Sequence, residues 1–258
     1  SQSSAHPADG AKLSPYHLQA PLPGFVRGYG NGAVASAARP LPPGRIRKRA
    51  GLPRLDWSDN MATLVDGFGR TFPYLRLSLT EACNYRCSYC LPNGYQADGR
   101  PSFLTLEEVQ RLVRGFAAVG MRKIRLTGGE PSLRKDLPSI IAAVSATPGV
   151  QKIALTTNGC LLPRHLPGWH RAGLTALNVS MDSLQRERFH AITGHDRLPE
   201  IMEGLAMAQD LGLQSIKLNA VLLRGLNDDE LPAWMEFLRE RPISVRFIEL
   251  MRTGDNRE

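Results

Sequence analysis

The sequence predicts an α/β protein: an incomplete (β/α)6 barrel of the TIM type, preceded by a disordered N-terminal extension. Three observations predict it. From about residue 74 onward, short apolar runs alternate with amphipathic or capped segments through six strand candidates. The turns between them are short, which favours parallel pairing through right-handed crossovers. Polar residues gather at the C-terminal ends of the apolar runs, where barrels of this kind place their active sites. That last feature favours one curled array over a doubly wound sheet.

Each element has its own signal. Residues 75–79 form a short apolar strand that leads into a cysteine-rich loop. Thr105 and Glu108 make a capping box that starts a helix running to about Val119 and stopped by Gly120. Residues 123–126 are the second strand, ending in a Thr-Gly-Gly-Glu-Pro turn at 127–131. Asp136 caps the next helix, which ends before Pro148. Residues 153–156 are the third strand, and a helix near 164–172 ends at Gly173. Residues 177–180 are the fourth strand. An amphipathic helix over 199–211 is stopped by Gly212, and 215–222 is the fifth strand. Asn227 caps a helix over about 228–240, and 245–249 is the sixth strand.

The chain has 258 residues and 42% hydrophobic content, enough for one domain with a large core. No stretch reaches the roughly 18 consecutive apolar residues of a membrane span. The first residues are polar, so no signal peptide is expected. Residues 1–60 are rich in Pro, Gly, Ala and Ser without lasting periodicity, and read as a disordered basic extension. They hold eight of the basic side chains and three acids, so they carry +5 of the net +8. The basic run 45–49 has no aromatic or helical framework around it, which favours a solvated tail over a nucleic-acid site. The core begins at Met61, and a native start near that residue is expected. A reducing cytoplasm suits the cysteine usage.

Three of the four cysteines, Cys83, Cys87 and Cys90, fall in eight residues as Cys-x3-Cys-x2-Cys. Three thiolates hold three irons of a [4Fe–4S] cluster and leave the fourth iron open to a small molecule. A structural zinc site wants four ligands, and the remaining Cys160 is isolated. Tyr89, between the last two cysteines, either faces the open iron or packs. In the turn after the second strand, Gly128 and Gly129 let backbone approach a ligand, and Glu130 can pair with a ligand ammonium. Arg76, Arg125, Lys217 and Arg246 lie in or beside different strands, among apolar neighbours. Converging cations imply an anionic ligand such as a polyphosphate, unless each pairs locally or points to solvent. Thr156, Ser180 and Met251 sit at or just past strand ends. Asp182 caps the helix that follows or joins them. The six histidines show no ligand spacing, and His190 and His195 read as surface residues.

With those residues in view, the chain resembles the radical S-adenosylmethionine enzymes, and more narrowly the MoaA family of GTP 3′,8-cyclases of molybdenum-cofactor synthesis. The resemblance runs from about Met61 to the last residue. It rests on stretches 72–80, 83–92, 123–134, 155–159, 177–180, 216–221 and 245–251. The run Ile-Arg-Leu-Thr-Gly-Gly-Glu-Pro-Ser-Leu-Arg and the run Phe-Ile-Glu-Leu-Met are far more specific than the cysteine loop. The resemblance implies that Cys83, Cys87 and Cys90 ligate a [4Fe–4S] cluster. It implies that Tyr89, Gly129, Glu130, Ser180 and Met251 line the S-adenosylmethionine site. It assigns GTP to Arg76, Arg125, Thr156, Lys217 and Arg246. It also implies that no side chain acts as an acid or base, that a 5′-deoxyadenosyl radical takes H3′ of GTP, and that C3′ then joins C8 of guanine. It further implies a flavodoxin- or ferredoxin-type reductant, a downstream cyclic pyranopterin monophosphate synthase, a possible homodimer, and no membrane or nucleic-acid partner.

The resemblance departs at the C-terminal side. The family holds a second [4Fe–4S] cluster on three further cysteines in a C-terminal region, together with a glycine pair, and neither occurs here. Two expectations follow: an N-terminal fragment of a longer enzyme, or a product unable to complete the cyclisation. Either way S-adenosylmethionine binding with little GTP cyclisation is expected of this chain. Two rival readings share the cysteine loop: a radical S-adenosylmethionine enzyme acting on a peptide or small molecule, and a non-catalytic metal- or nucleic-acid-binding module.

Overall fold

The computed structural model describes residues 63–97 and 103–251. The extension 1–60 with its basic run, the Met61 boundary and the turn at 253–256 lie outside the described residues. Six strands pair in parallel in chain order: β1 (Tyr74–Ser78), β2 (Lys123–Thr127), β3 (Lys152–Thr157), β4 (Ala176–Ser180), β5 (Ser215–Leu222) and β6 (Ile243–Glu249). Crossovers are made by α1 (Leu106–Ala118), α2 (Leu137–Ser145), α3 (Leu162–Arg171), α4 (Arg186–Thr193), α5 (Leu198–Asp210) and α6 (Leu231–Leu238).

The strands alternate as their sequences demand. Ile124, Leu126, Ile153, Leu155, Leu177, Val179, Ile216 and Leu218 point outward and are buried under Val109, Val113, Ile140, Leu166, Ile201 and Leu205 of the helices. The core therefore lies between sheet and helices. The opposite face carries the polar residues, and it curls. In a flat sheet, five steps of about 4.8 Å would hold β1 and β6 about 24 Å apart. Instead one cavity touches Tyr74 and Arg76 of β1 together with Arg246 and Ile248 of β6. The two edge strands are not hydrogen-bonded to each other, so the barrel is open on that side.

The Thr105 capping box is present: Thr105 Oγ1 accepts from Glu108 N–H at 3.2 Å, and Glu108 accepts from Thr105 N–H at 2.8 Å. Other local readings are corrected. Asp136 precedes α2 but makes no side-chain cap; its carboxylate takes a two-pronged bond from Arg134, at 2.9 and 2.6 Å. Asn227 caps no helix either. A single 3₁₀ turn over Asp228–Glu230 follows it, and α6 starts only at Leu231. The Asn227 side chain is buried and bonds backwards, onto Asp182 O, Val221 O and Leu223 N–H. Helix α4 has no counterpart in the sequence reading, because its buried positions are only Phe189, Ile192 and Thr193 amid charged neighbours. Among the described residues no helix is long and apolar enough to cross a membrane.

Candidate functional site

The cysteine loop leaves β1 and crosses the C-terminal mouth of the barrel. Cys83, Cys87 and Cys90 line one cavity of about 140 Å3 with Tyr89, Gly129, Glu130, Thr156, Ser180 and Asp182. The loop is moored from several directions. Asn84 Oδ1 accepts from Asn158 Nδ2 at 2.8 Å, and Asn84 Nδ2 donates to Cys160 Sγ at 3.3 Å. Arg86 and Ser88 donate their N–H groups to the carbonyls of Thr193 and Ile192, at the end of α4. Tyr85 stacks on His195 with ring centres 4.9 Å apart. His195 is thus half-buried against the loop rather than a surface residue. Tyr89 Oη donates to Asp182 Oδ2 at 2.8 Å, and Asp182 Oδ1 accepts from Val221 N–H at 2.8 Å.

The two glycines also serve a purpose that the sequence did not show. A Cβ on Gly128 would stand 2.3 Å from Thr80 O, and one on Gly129 would stand 2.4 Å from both Glu81 O and Ala82 O. Gly129 N–H bonds Thr80 O and Glu130 N–H bonds Ala82 O, each at 2.7 Å. The pair lets the β2 turn press against the backbone that delivers Cys83. Glu130 then links that turn to the next. Its buried carboxylate accepts from Ser132 N–H at 2.9 Å, Thr157 Oγ1 at 2.7 Å and Asn158 N–H at 2.6 Å. Burial pushes the Glu130 carboxyl up, and these donors work against that rise. Two oxygens carry about four acceptor directions, and these donors take three of them.

Below the thiols lies a cationic lumen. Strand register pairs Arg76 with Arg125, joins Thr156 to Lys217 through Asn178, and joins Ser180 to Arg246 through Asn219. Arg76, Arg125, Thr156 and Arg246 line a cavity of about 400 Å3 with Asn219. Arg125 and Lys217 line the next, of about 270 Å3, with Lys123, Lys152 and Asn178. Among the described residues no carboxylate lines either cavity. Burial lowers the Lys217 ammonium, and Arg246, Lys152, Arg125 and Lys123 lower it further. The cations are less buried than their apolar sequence neighbours suggest: Arg76 and Arg246 are exposed, Arg125 and Lys217 half-buried. Arg125 Nε and Asn178 Nδ2 are buried and find no hydrogen-bond partner among the described residues. Buried donors without acceptors, beside cations with no carboxylate among the described residues of the cavity lining, suit an anion. Thr156 lines both the thiol cavity and the cationic one, and its Oγ1 accepts from Arg125 Nη1 at 3.3 Å.

The radical SAM superfamily model matches residues 77–238, more than half of the chain. The chain belongs to the radical SAM superfamily. Relatives named GTP 3′,8-cyclase agree closely in sequence. One from Stenotrophomonas maltophilia (strain R551-3) is 80% identical over 196 residues, covering 76% of this chain and 60% of the relative. One from Aeromonas hydrophila is 56% identical over 200 residues, covering 76% and 58%. The chain thus spans about three fifths of the length of these relatives. Among solved structures, Streptococcus suis SuiB bound to S-adenosylmethionine superposes with a TM-score of 0.60 at 16% identity, over 71% of this chain and 42% of that one. Methylornithine synthase (PylB) superposes with a TM-score of 0.56 at 16% identity, over 72% and 56%. At such identities the likeness is one of fold.

Membership of the radical SAM superfamily implies an iron–sulfur cluster and S-adenosylmethionine, and the thiols of this chain suit a cluster. As the side chains stand, no three His, Cys, Asp or Glu among the described residues could hold a single metal ion. A cubane asks for something else, one thiolate for each of three irons around a common space. Burial raises all three thiols, Cys87 to about 12, with Asp182, Cys83 and Cys90 adding to it. Three neighbouring thiolates are thus unfavourable without cationic iron to offset them. Of the S-adenosylmethionine residues expected from sequence, Tyr89, Gly129, Glu130 and Ser180 meet in the thiol cavity. Met251 does not: it ends the described residues, 79% exposed. Lys123, Lys152, Asn178 and Asn219 were not singled out from sequence. Lys123 and Lys152 open β2 and β3, and inward alternation from Arg125 and Thr156 was the signal that could have found them.

Proposed function

We propose that this chain is the radical-generating and phosphate-binding part of a GTP 3′,8-cyclase. The observation that carries the reading is the shared wall at Thr156: a three-thiol cavity opens beside a cationic lumen. The 80% identity to a relative of that name over 196 residues supports it. Cys83, Cys87 and Cys90 would hold the [4Fe–4S] cluster, with Tyr89, Gly129, Glu130 and Ser180 around S-adenosylmethionine; Met251 would join them. Together, when bound, cluster and S-adenosylmethionine supply one-electron chemistry that removes a hydrogen atom from carbon.

The chain's own residues bind and orient. Arg76, Arg125, Lys217 and Arg246 reach into the lumen from different strands and would grip the triphosphate of GTP. Lys123 and Lys152 extend the grip. Arg125 Nε and Asn178 Nδ2 offer donors that a phosphate oxygen would satisfy. Thr156, bonded to Arg125, stands where the ribose would meet the thiol cavity. Fixing the triphosphate at a distance orients the sugar carbon without spending contacts on the reacting atoms. A second cluster would need cysteines beyond this chain, since Cys160 alone lies outside the loop. A ferredoxin- or flavodoxin-type donor in the cytoplasm, a synthase that consumes the product, and a homodimer complete the reading.

The test is nucleotide binding. Anaerobic equilibrium dialysis of the cluster-loaded protein should show GTP binding that weakens steeply with salt and falls on loss of the triphosphate. No GTP binding would overturn the cyclase assignment and leave a radical SAM enzyme with another substrate.

A further inference from the structure

Asp182 lies beside the cavity but outside the set of ligands assigned above. It is buried two residues past Ser180, and among the described residues no cation pairs with it. Its oxygens are divided between two elements: Oδ2 takes the Tyr89 hydroxyl and Oδ1 takes the Val221 N–H at the end of β5. Its own carbonyl accepts from Asn227 Nδ2 at 2.6 Å, and the same amide donates to Val221 O at 2.8 Å. One residue therefore joins the cysteine loop to the ends of β4 and β5. A buried carboxylate is a costly acceptor, and a neutral side chain would satisfy Val221 equally well. What a carboxylate adds is a strong, directed bond to the tyrosine.

The first half of the loop is held elsewhere, through Asn84 and Arg86. The half that contains Cys87 and Cys90 is tied to the end of α4 through the Ser88 N–H and to the ends of β4 and β5 through the Tyr89 side chain. We infer that Asp182 is a positioning residue: by holding Tyr89 it sets the spacing between the Cys87–Cys90 half of the loop and Ser180, and so the width of the cavity in which S-adenosylmethionine lies. The inference rests on reading that cavity as the S-adenosylmethionine site. Its cost on removal falls on seating the sulfonium compound, while the three thiols remain to take up iron.

The test compares Tyr89→Phe, Asp182→Ala, their combination and Asp182→Asn in the 258-residue protein, each reconstituted anaerobically with iron and sulfide. S-adenosylmethionine affinity is measured by equilibrium dialysis, and the change it causes in the electron paramagnetic resonance spectrum of the reduced cluster is followed. Tyr89→Phe and Asp182→Ala should keep wild-type iron and sulfide and bind about tenfold more weakly, the scale of one bond to a charged group. The combination should bind no more weakly than Asp182→Ala. Asp182→Asn should fall between wild type and Asp182→Ala, because its amide still meets the tyrosine oxygen and its carbonyl still accepts from Val221, but neither bond has a charged acceptor. The spectral change should follow the same order. If Asp182→Ala does not fold, Tyr89→Phe decides. Wild-type affinity in Tyr89→Phe overturns the inference. So does an Asp182→Asn variant as weak as Asp182→Ala, since charge rather than position would then be at work. A fully loaded wild type that binds no S-adenosylmethionine overturns the underlying reading instead.

Discussion

Glu130→Gln tests whether the carboxylate after the glycine pair is built into the fold. Three donors converge on it: Ser132 N–H and Thr157 Oγ1 on one oxygen, Asn158 N–H on the other. A glutamine has one acceptor oxygen. Whichever way its amide turns, an NH2 group faces a backbone N–H in a buried site, either that of Ser132 or that of Asn158. Thr157 can rotate its hydroxyl to accept; a backbone N–H cannot. The change thus loses at least one bond to a charged acceptor and leaves a buried donor opposed by another donor, about 2–4 kcal/mol. At about 2–4 °C per kcal/mol for a chain of this size, melting should fall by about 4–16 °C. The assay is thermal unfolding of the cluster-free protein by circular dichroism, where no ligand contributes. A melting temperature within about 1 °C of wild type would refute the reasoning.

Three further outcomes follow from the same geometry. Gly129→Ala should abolish soluble expression or leave a cluster-free protein without cooperative melting, because its Cβ would lie 2.4 Å from two carbonyl oxygens; wild-type yield and melting would contradict the close approach. Lys217→Ala and Arg125→Ala should each weaken GTP binding about tenfold or more, with a shallower salt dependence, while S-adenosylmethionine affinity stays within about twofold; equal losses for both ligands would contradict separate cavities. Burial holds the Asp182 carboxyl at about 6 against an ordinary 3.8. The folded state then keeps a proton that the unfolded state gives up, so this residue's contribution to stability falls as pH rises from about 4 to about 6. The loss approaches about 3 kcal/mol at 1.36 kcal/mol per pH unit. Asp182→Asn should flatten that slope in cluster-free protein; an unchanged slope would contradict the buried, cation-free setting.

Much of this was legible in sequence because it is local. The capping box needs only Thr105 and Glu108, and the strands announce themselves by apolar runs of alternating face. The cysteine loop is read from spacing alone. What was not legible depends on contacts far along the chain. Asp182 and Asn227 look like helix caps by residue type, yet both are spent on the junction of β4 and β5, 45 residues apart. Gly128 and Gly129 also admit the chain's own backbone, at Thr80 to Ala82, a contact that residue type does not announce. His195 gave no sign of its stack on Tyr85. Helix α4 hid because a short helix that buries three residues shows little periodicity. The convergence of Arg76 with Arg246 follows from barrel curvature, which periodicity does not encode.

Release of 5′-deoxyadenosine tests the central claim most directly. Protein reconstituted anaerobically to about four irons and four sulfides per chain, then reduced with dithionite in the presence of S-adenosylmethionine, should liberate methionine and 5′-deoxyadenosine, and Cys87→Ser should liberate none. A fully loaded wild-type protein that never forms 5′-deoxyadenosine would contradict the account.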